Sequence, residues 1–194
     1  LRAQDFQDWE ALIQDGGASV ESILPADPRI KYCRAEDPLD RRGDQALLLA
    51  RGELLNFHAD DDQLLPGALA HVNAAIGGHQ WLYGRVAWGT TGMLVGQPWD
   101  FERLQRENFI PAPGVFWTRE ARDIVGGWDR VNDWVHDWDY WLRLGARWRP
   151  VFVERVLAQY RLHPGQQTQT MASAYKATQE AIVRERARTG YYTA

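Results

Sequence analysis

Three consecutive acids, Asp60, Asp61 and Asp62, follow an apolar run that ends at Phe57-His58-Ala59 and precede Leu64-Leu65-Pro66-Gly67. Adjacent carboxylates repel one another unless a cation sits among them. Oxygen ligands of this kind suit Mg²⁺ or Mn²⁺, which one or two carboxylates commonly hold together with the phosphates of a substrate. The end of a buried strand is also where an open α/β sheet places its ligand chemistry. The stretch therefore has the makings of a metal and nucleotide site. It equally fits a solvated acidic loop that caps the next helix, with Asp62 or a neighbour near the N-cap and Pro66 in the first turn. Asp15 stands at a second strand exit, Asp15-Gly16-Gly17-Ala18-Ser19. It is placed to hold a nucleobase or ribose, or simply to cap a helix from about Val20. In Asn132 to Leu144, Asp133 or Asp137 can cap a helix, and Asp139 stands four residues before Arg143 on it.

The elements that must carry these residues follow from periodicity and turn signals. Leu1 to Asp8 reads as a helix tail and turn, Trp9 to Gln14 as a strand, Arg29 to Arg34 as a second strand and Glu36 to Asp44 as a charged loop. Ala46 to Ala50 resembles a helix end, and Glu53 to Phe57 is the strand that delivers the acids. Pro66 to Ile76 is predicted helical, with Leu69, Val72, Ala75 and Ile76 on one face and Gly77-Gly78 as the stop. Trp81 to Trp88 reads as a strand interrupted by Gly84, the mark of a bulge or close backbone approach. Gly89 to Arg106 lacks periodicity and reads as a loop over a site. Phe109 to Phe116 is extended around Pro111 and Pro113, Thr118 to Ile124 is a short helix, Pro150 to Val153 and Val156 to Tyr160 are strands, and Thr168 to Thr189 is a final helix. Strands alternating with helices in the first half predict an α/β domain with a mainly parallel sheet.

At 194 residues, 45% apolar and 25% charged, the chain fits one soluble globular domain. No run approaches the roughly 20 apolar residues of a membrane span. A net charge of −4 without a dense Lys/Arg patch argues against a nucleic acid polymer as ligand. The lone Cys33 fits a reducing compartment and reads as buried filler. Ten tryptophans are the compositional oddity; most should be core, and some could offer flat platforms to a sugar ring.

The Asp-Gly-Gly exit, Ala50-Arg51-Gly52-Glu53, Asp60-Asp61-Asp62 before Leu-Leu-Pro-Gly-Ala-Leu, Val125-Gly126-Gly127-Trp128-Asp129, His136-Asp137-Trp138-Asp139-Tyr140-Trp141-Leu142-Arg143 and Tyr160-Arg161-Leu162-His163-Pro164-Gly165 occur in one order. This order and spacing resemble the family 2 glycosyltransferases of the GT-A fold, over nearly the whole chain. The resemblance implies a Rossmann-like sheet flanked by helices, with a nucleotide-sugar half over residues 1–90, an acceptor half over 91–165 and a C-terminal helix over 166–194. It implies inverting transfer from a nucleotide diphosphate sugar, most often UDP-linked, to a glycan or lipid-linked acceptor, with Mg²⁺ or Mn²⁺ on the diphosphate. By position, Asp15 resembles the acid on the nucleoside, Asp60 the one near the ribose, Asp61 the metal ligand and His163 a member of the metal or diphosphate shell. Asp137 resembles the general base, and Arg143 looks structural, paired with Asp139. Trp117 and Trp138 are placed on the acceptor side.

Elementary chemistry agrees with those roles. Cleaving a glycosyl-phosphate bond puts negative charge on the leaving diphosphate, which a divalent ion neutralises. The incoming hydroxyl needs a carboxylate on the opposite face of the sugar, and Asp137 lies on a separate element from the acid cluster.

The chain also departs from the pattern. His58 replaces an apolar residue, Ala59 stands where many members carry the first acid of Asp-x-Asp, and Pro38 and Asp44 replace a Gly and an Asn. Members open with a central strand carrying a nucleotide-binding exit, whereas this chain enters at the following helix. The expectation is an N-terminally truncated domain with an apolar slot, unstable in isolation; cooperative thermal unfolding of the isolated monomer counts against it. A non-catalytic module that binds nucleotide sugar or glycan is the alternative, and Asp137 separates the two, because transfer needs it and binding does not. A nucleotidyltransferase would want a basic, Gly-rich phosphate loop, and the sequence has none. The resemblance implies a cytoplasmic protein, and the polar-faced final helix allows peripheral contact with the inner face of a membrane or with a partner domain.

Overall fold

The computed structural model describes residues 1–15, 17, 19–34, 44–129 and 135–193. The predicted loop through Glu36 and Pro38 and the predicted cap Asp133 lie outside the described residues, as do Gly16 and Trp134.

The first half builds β1 (Ala11–Asp15), β2 (Ile30–Arg34), α1 (Asp44–Leu49), the short strands β3 (Leu54–Leu55) and β4 (Gln63–Leu64), α2 (Ala68–Ala75) and the long strand β5 (Trp81–Trp88). Then come β6 (Met93–Val95), α3 (Phe101–Leu104), a 3-10 turn at Ala112–Gly114, β7 (Val115–Thr118), α4 (Arg119–Val125), α5 (His136–Gly145), β8 (Val151–Tyr160), α6 (Gln167–Thr170) and α7 (Ser173–Arg188). β1 and β2 form a parallel pair of their own, and a six-stranded sheet runs β3-β7-β5-β8-β4 with β6 on β5.

The α/β class holds, but the sheet is mixed rather than mainly parallel. Among the described residues, only β1/β2 and β5/β8 are parallel pairs; β3/β7, β4/β8, β5/β6 and β5/β7 are antiparallel. The reason lies in the connections: β5 and β6 are joined by Gly89-Thr90-Thr91-Gly92, too short for the crossover a parallel pair requires. The stretch Gly89 to Arg106 is accordingly not all loop, since it holds β6 and α3. Leu1 to Asp8 forms turns and no helix, because so short a segment cannot sustain a helical nucleus. Only a 3-10 turn, Glu21–Ile23, forms after Val20. The two strands expected between Pro150 and Tyr160 are one strand, whose pairing with β5 shifts register beside Gly84 and Arg85. The final helix is broken into α6 and α7.

Alternation along the strands sorts the core onto the two sheet faces. Trp81, Tyr83, Val115 and Trp117 face one way, into a cluster with Trp138, Tyr140, Trp141, Leu142 and Leu144 of α5 and Val183 of α7. Leu82, Phe116 and Leu157 face the other way, against Ala68 and Val72 of α2. Trp81 stacks on Trp141 with centroids 6.3 Å apart, and Trp117 packs against Trp128, Tyr140 and Trp141. Truncating any one of these rings to Ala should cost about 3–5 kcal/mol. Gly84 is required by proximity: a Cβ there would lie 2.6 Å from the Leu157 side chain and 2.9 Å from the Arg155 carbonyl.

Candidate active site

The acid cluster leaves the sheet between β3 and β4, in a turn closed by the Asp62 amide donating to the Ala59 carbonyl at 3.2 Å. β4 pairs with β8, so the residues following β8 come alongside the acids. His163 Nε2 lies 3.0 Å from Asp61 Oδ2, although the two are 102 residues apart in the chain. The Arg161 amide donates to Asp62 Oδ1 at 3.2 Å. Burial pushes the Asp62 carboxyl up to about 7; the Arg161 amide opposes the rise, and the charges of Asp61 and Asp60 add to it. Asp60 is exposed. The 161–165 turn is held by buried Gln166, whose Oε1 accepts from the His163 amide at 2.9 Å while its Nε2 donates to the Tyr160 hydroxyl at 2.9 Å.

One carboxylate oxygen and one imidazole nitrogen thus converge at Asp61 and His163. Both are atom types that can ligate a divalent ion, although among the described residues no group of three such side chains gathers. His58 is not part of this pair. It is half-buried beneath the turn, and burial holds its imidazole below the ordinary range.

Asp15 ends β1 and is 9% exposed, with its carboxylate engaged locally. It accepts from the Gly17 amide at 2.8 Å, the Val20 amide at 3.2 Å and the Tyr32 hydroxyl at 2.9 Å, and Arg34 Nη1 lies 3.7 Å away. The Gly17 bond leads in holding its carboxyl below the usual range. Asp15 therefore shapes the strand exit rather than facing outward unpaired.

Asp137 occupies the first turn of α5, whose N-cap is Val135. Its Oδ1 accepts from the Trp138 amide at 2.7 Å, and its Oδ2 lies 3.4 Å from the Asn108 amide nitrogen. Burial raises its carboxyl above the ordinary range, with the adjacent His136 opposing the rise. Asn108 has no sequence relation to Asp137 and was not foreseen; it arrives on the loop after α3. Asp139, two residues on, is fully buried and accepts from Arg143 Nε at 2.8 Å, the predicted pair. Arg143 also donates to the Val125 and Gly127 carbonyls at 3.0 Å each, tying α5 to the end of α4.

A small aromatic bridge joins the segment leading into the acid cluster to the start of α5. Phe57 packs edge-on against Trp128 at 5.4 Å and against His136 at 5.9 Å, and Trp128 meets His136 at 5.2 Å. Asp61 and Asp137 therefore hang from one packed unit. Trp117 and Trp138 do not stand on an acceptor surface: their side chains are 0% and 1% exposed. Their indoles are filler between the sheet and α5, and Trp138 Nε1 donates inward to the Leu104 carbonyl at 2.6 Å.

No family model matches the chain. Among curated proteins it is similar to the PGL/p-HBAD biosynthesis glycosyltransferases of Mycobacterium bovis (strain BCG / Pasteur 1173P2) and Mycobacterium tuberculosis (strain ATCC 25618 / H37Rv). Each is 27% identical over 169 residues, covering 81% of this chain and 65% of the relative. The chain thus spans just under two thirds of the length of these relatives. Among solved structures it resembles S. aureus TarS 1-349 in complex with UDP, at a TM-score of 0.65 and 15% identity over 96% of this chain and 65% of that one. The same protein in complex with UDP-GlcNAc aligns at a TM-score of 0.68 and 15% identity, over 88% of this chain and 55% of that one. These likenesses make the fold a GT-A-like α/β fold, shared with a protein solved with a nucleotide sugar.

Proposed function

We propose that this chain carries the donor site and the base of an inverting glycosyltransferase of the family 2 type, moving a sugar from a UDP-sugar to a hydroxyl of a glycan or lipid-linked acceptor. The observation that carries the reading is the 3.0 Å approach of His163 to Asp61, which joins the ends of two strands at one point beside the acid cluster. The similarity to named glycosyltransferases and to the UDP and UDP-GlcNAc complexes of TarS supports it.

In this reading Asp61 and His163 hold the metal. An imidazole ligand favours Mn²⁺ over Mg²⁺, which prefers oxygen. When bound, the ion neutralises the charge that develops on the leaving diphosphate. Exposed Asp60 is free to accept from ribose hydroxyls, and Asp15 keeps the strand exit in shape for the nucleoside. Asp137 takes the acceptor proton on Oδ2, the oxygen with only the long Asn108 contact. As that proton moves, the acceptor oxygen bonds to the anomeric carbon and the carbon–oxygen bond to the diphosphate breaks, its electron pair leaving with UDP. Burial raises the affinity of Asp137 for a proton, the direction a general base needs.

The test is UDP titration by calorimetry on the full protein, with and without Mn²⁺. Binding should strengthen at least about tenfold with Mn²⁺, a difference of roughly 1.4 kcal/mol, and the gain should vanish in Asp61→Ala. Binding indifferent to both would overturn the metal assignment. A folded protein that binds no UDP under any condition would overturn the donor assignment.

A further inference from the structure

Two walls meet at Asp137, and one helix holds both. The first wall is the loop that carries Asn108, which follows α3. Arg184 of α7 donates from Nε to the Arg106 carbonyl at 3.0 Å, two residues before Asn108, and its guanidinium lies 5.6 Å from the Trp138 ring. The second wall is the first turn of α5. There the Asp139 carboxylate, fully buried, accepts from Arg186 Nη1 of α7 at 3.0 Å and from the Tyr192 hydroxyl at 2.7 Å, besides Arg143. Arg186 Nη1 also pairs with Asp129. Burial works against the Arg186 charge, but the Asp129 and Asp139 carboxylates outweigh it and raise its pKa. Among the described contacts, α7 gives Arg184 and Arg186, two positions apart, to the two segments whose side chains meet at the carboxylate.

We infer that Arg184 and Arg186 are positioning residues for Asp137: α7 clamps the Asn108 loop against the first turn of α5 and so fixes where the carboxylate stands. The inference rests on the reading of Asp137 as the base, but the placement of Asp137 can be measured without that reading. A charge buried at Asp139 with three donors forms a stiff anchor, since such groups are held by their hydrogen bonds and are costly to leave unpaired. Asp139 is two residues from Asp137, within the same helical turn, so a displacement of one carries the other.

The substrate-free arm is the titration of the Asp137 carboxyl carbon, followed by NMR in the full protein and in Arg184→Met, Arg186→Met and Tyr192→Phe. Loosening the clamp admits water, so the Asp137 pKa should fall toward the ordinary aspartate range in either arginine variant. Arg186→Lys, which keeps the charge, should recover part of that shift. Because Arg186→Met uncovers two acids, it should lower folding yield; the half-exposed Arg184 and the conservative Tyr192→Phe keep the test open. An Asp137 titration curve unchanged in Arg184→Met and Tyr192→Phe overturns the inference. The turnover arm reads UDP release from UDP-GlcNAc. Arg184→Met should lower kcat about tenfold with KM unchanged, and should have no further effect in an Asp137→Asn background. If Asp137→Asn keeps full turnover, the base assignment fails. If Asp137→Asn is inactive while Arg184→Met has wild-type kcat, the base assignment stands and the clamp fails.

Discussion

Asp137 combines a raised pKa with a position at the mouth of a helix, and the sign of its pH behaviour follows. A base acts when deprotonated, so a raised carboxyl pKa moves the acid limb of kcat upward, to a pH above the ordinary aspartate value of about 3.9. Turnover should fall as pH drops through that raised value, and Asp137→Asn should remove both the limb and most of the rate. A rate flat down to pH 4 would assign the proton to another group. The spacing of Asp139 and Arg143 made their pairing legible, because residues four apart share a helix face. The acid cluster stood out by itself, but the approach of His163 to Asp61 was legible only by resemblance, since no local rule connects residues 102 apart. Asn108 carried no signal, and Trp117 and Trp138 misled because an indole serves a core and a sugar platform equally well.

At the scale of elements, β5 and β8 are the frame from which both halves of the site hang. The shift in their register falls where Gly84 lets the two strands approach, so the sequence signal of an interrupting glycine had a direct structural counterpart. Gly84→Val should destabilise the fold by about 1–3 kcal/mol through overpacking against Leu157, measured as a lower denaturation midpoint at unchanged slope. A variant of wild-type stability would mean that β8 bends away freely. Helix α2, with its glycine stop, and α4, capped by the Thr118 hydroxyl accepting from the Ala121 amide at 3.0 Å, were readable from end signals. The β5–β6 hairpin was not. Its strand β6 has three residues, too few for alternation to show, and strand direction depends on connections that periodicity does not encode.

The whole molecule divides by depth of burial. Every fully buried apolar side chain described lies at Leu47 or beyond, while the residues of β1 and β2 are mostly half-buried. The β1–β2 pair is attached by polar contacts: Glu10 Oε1 accepts from the Arg51 and Gly52 amides at 2.6 and 3.1 Å, and Gln14 Oε1 accepts from the Ala46 amide at 2.8 Å. Regions with few buried apolar contacts open at lower cost than the core. Native-state hydrogen exchange should therefore show the amides of β1 and β2 exchanging at least about a hundredfold faster than those of β5, a gap of roughly 2.7 kcal/mol. Equal protection would show that the pair opens only with the whole domain. Composition and alternation had announced one α/β core, but they could not announce this gradient, which depends on what each strand packs against.

The aromatic bridge of Phe57, Trp128 and His136 also makes the protein its own optical instrument. The Trp128 indole touches the ring one residue before Asp137 and the ring three residues before the acid cluster, so its surroundings change with either arm.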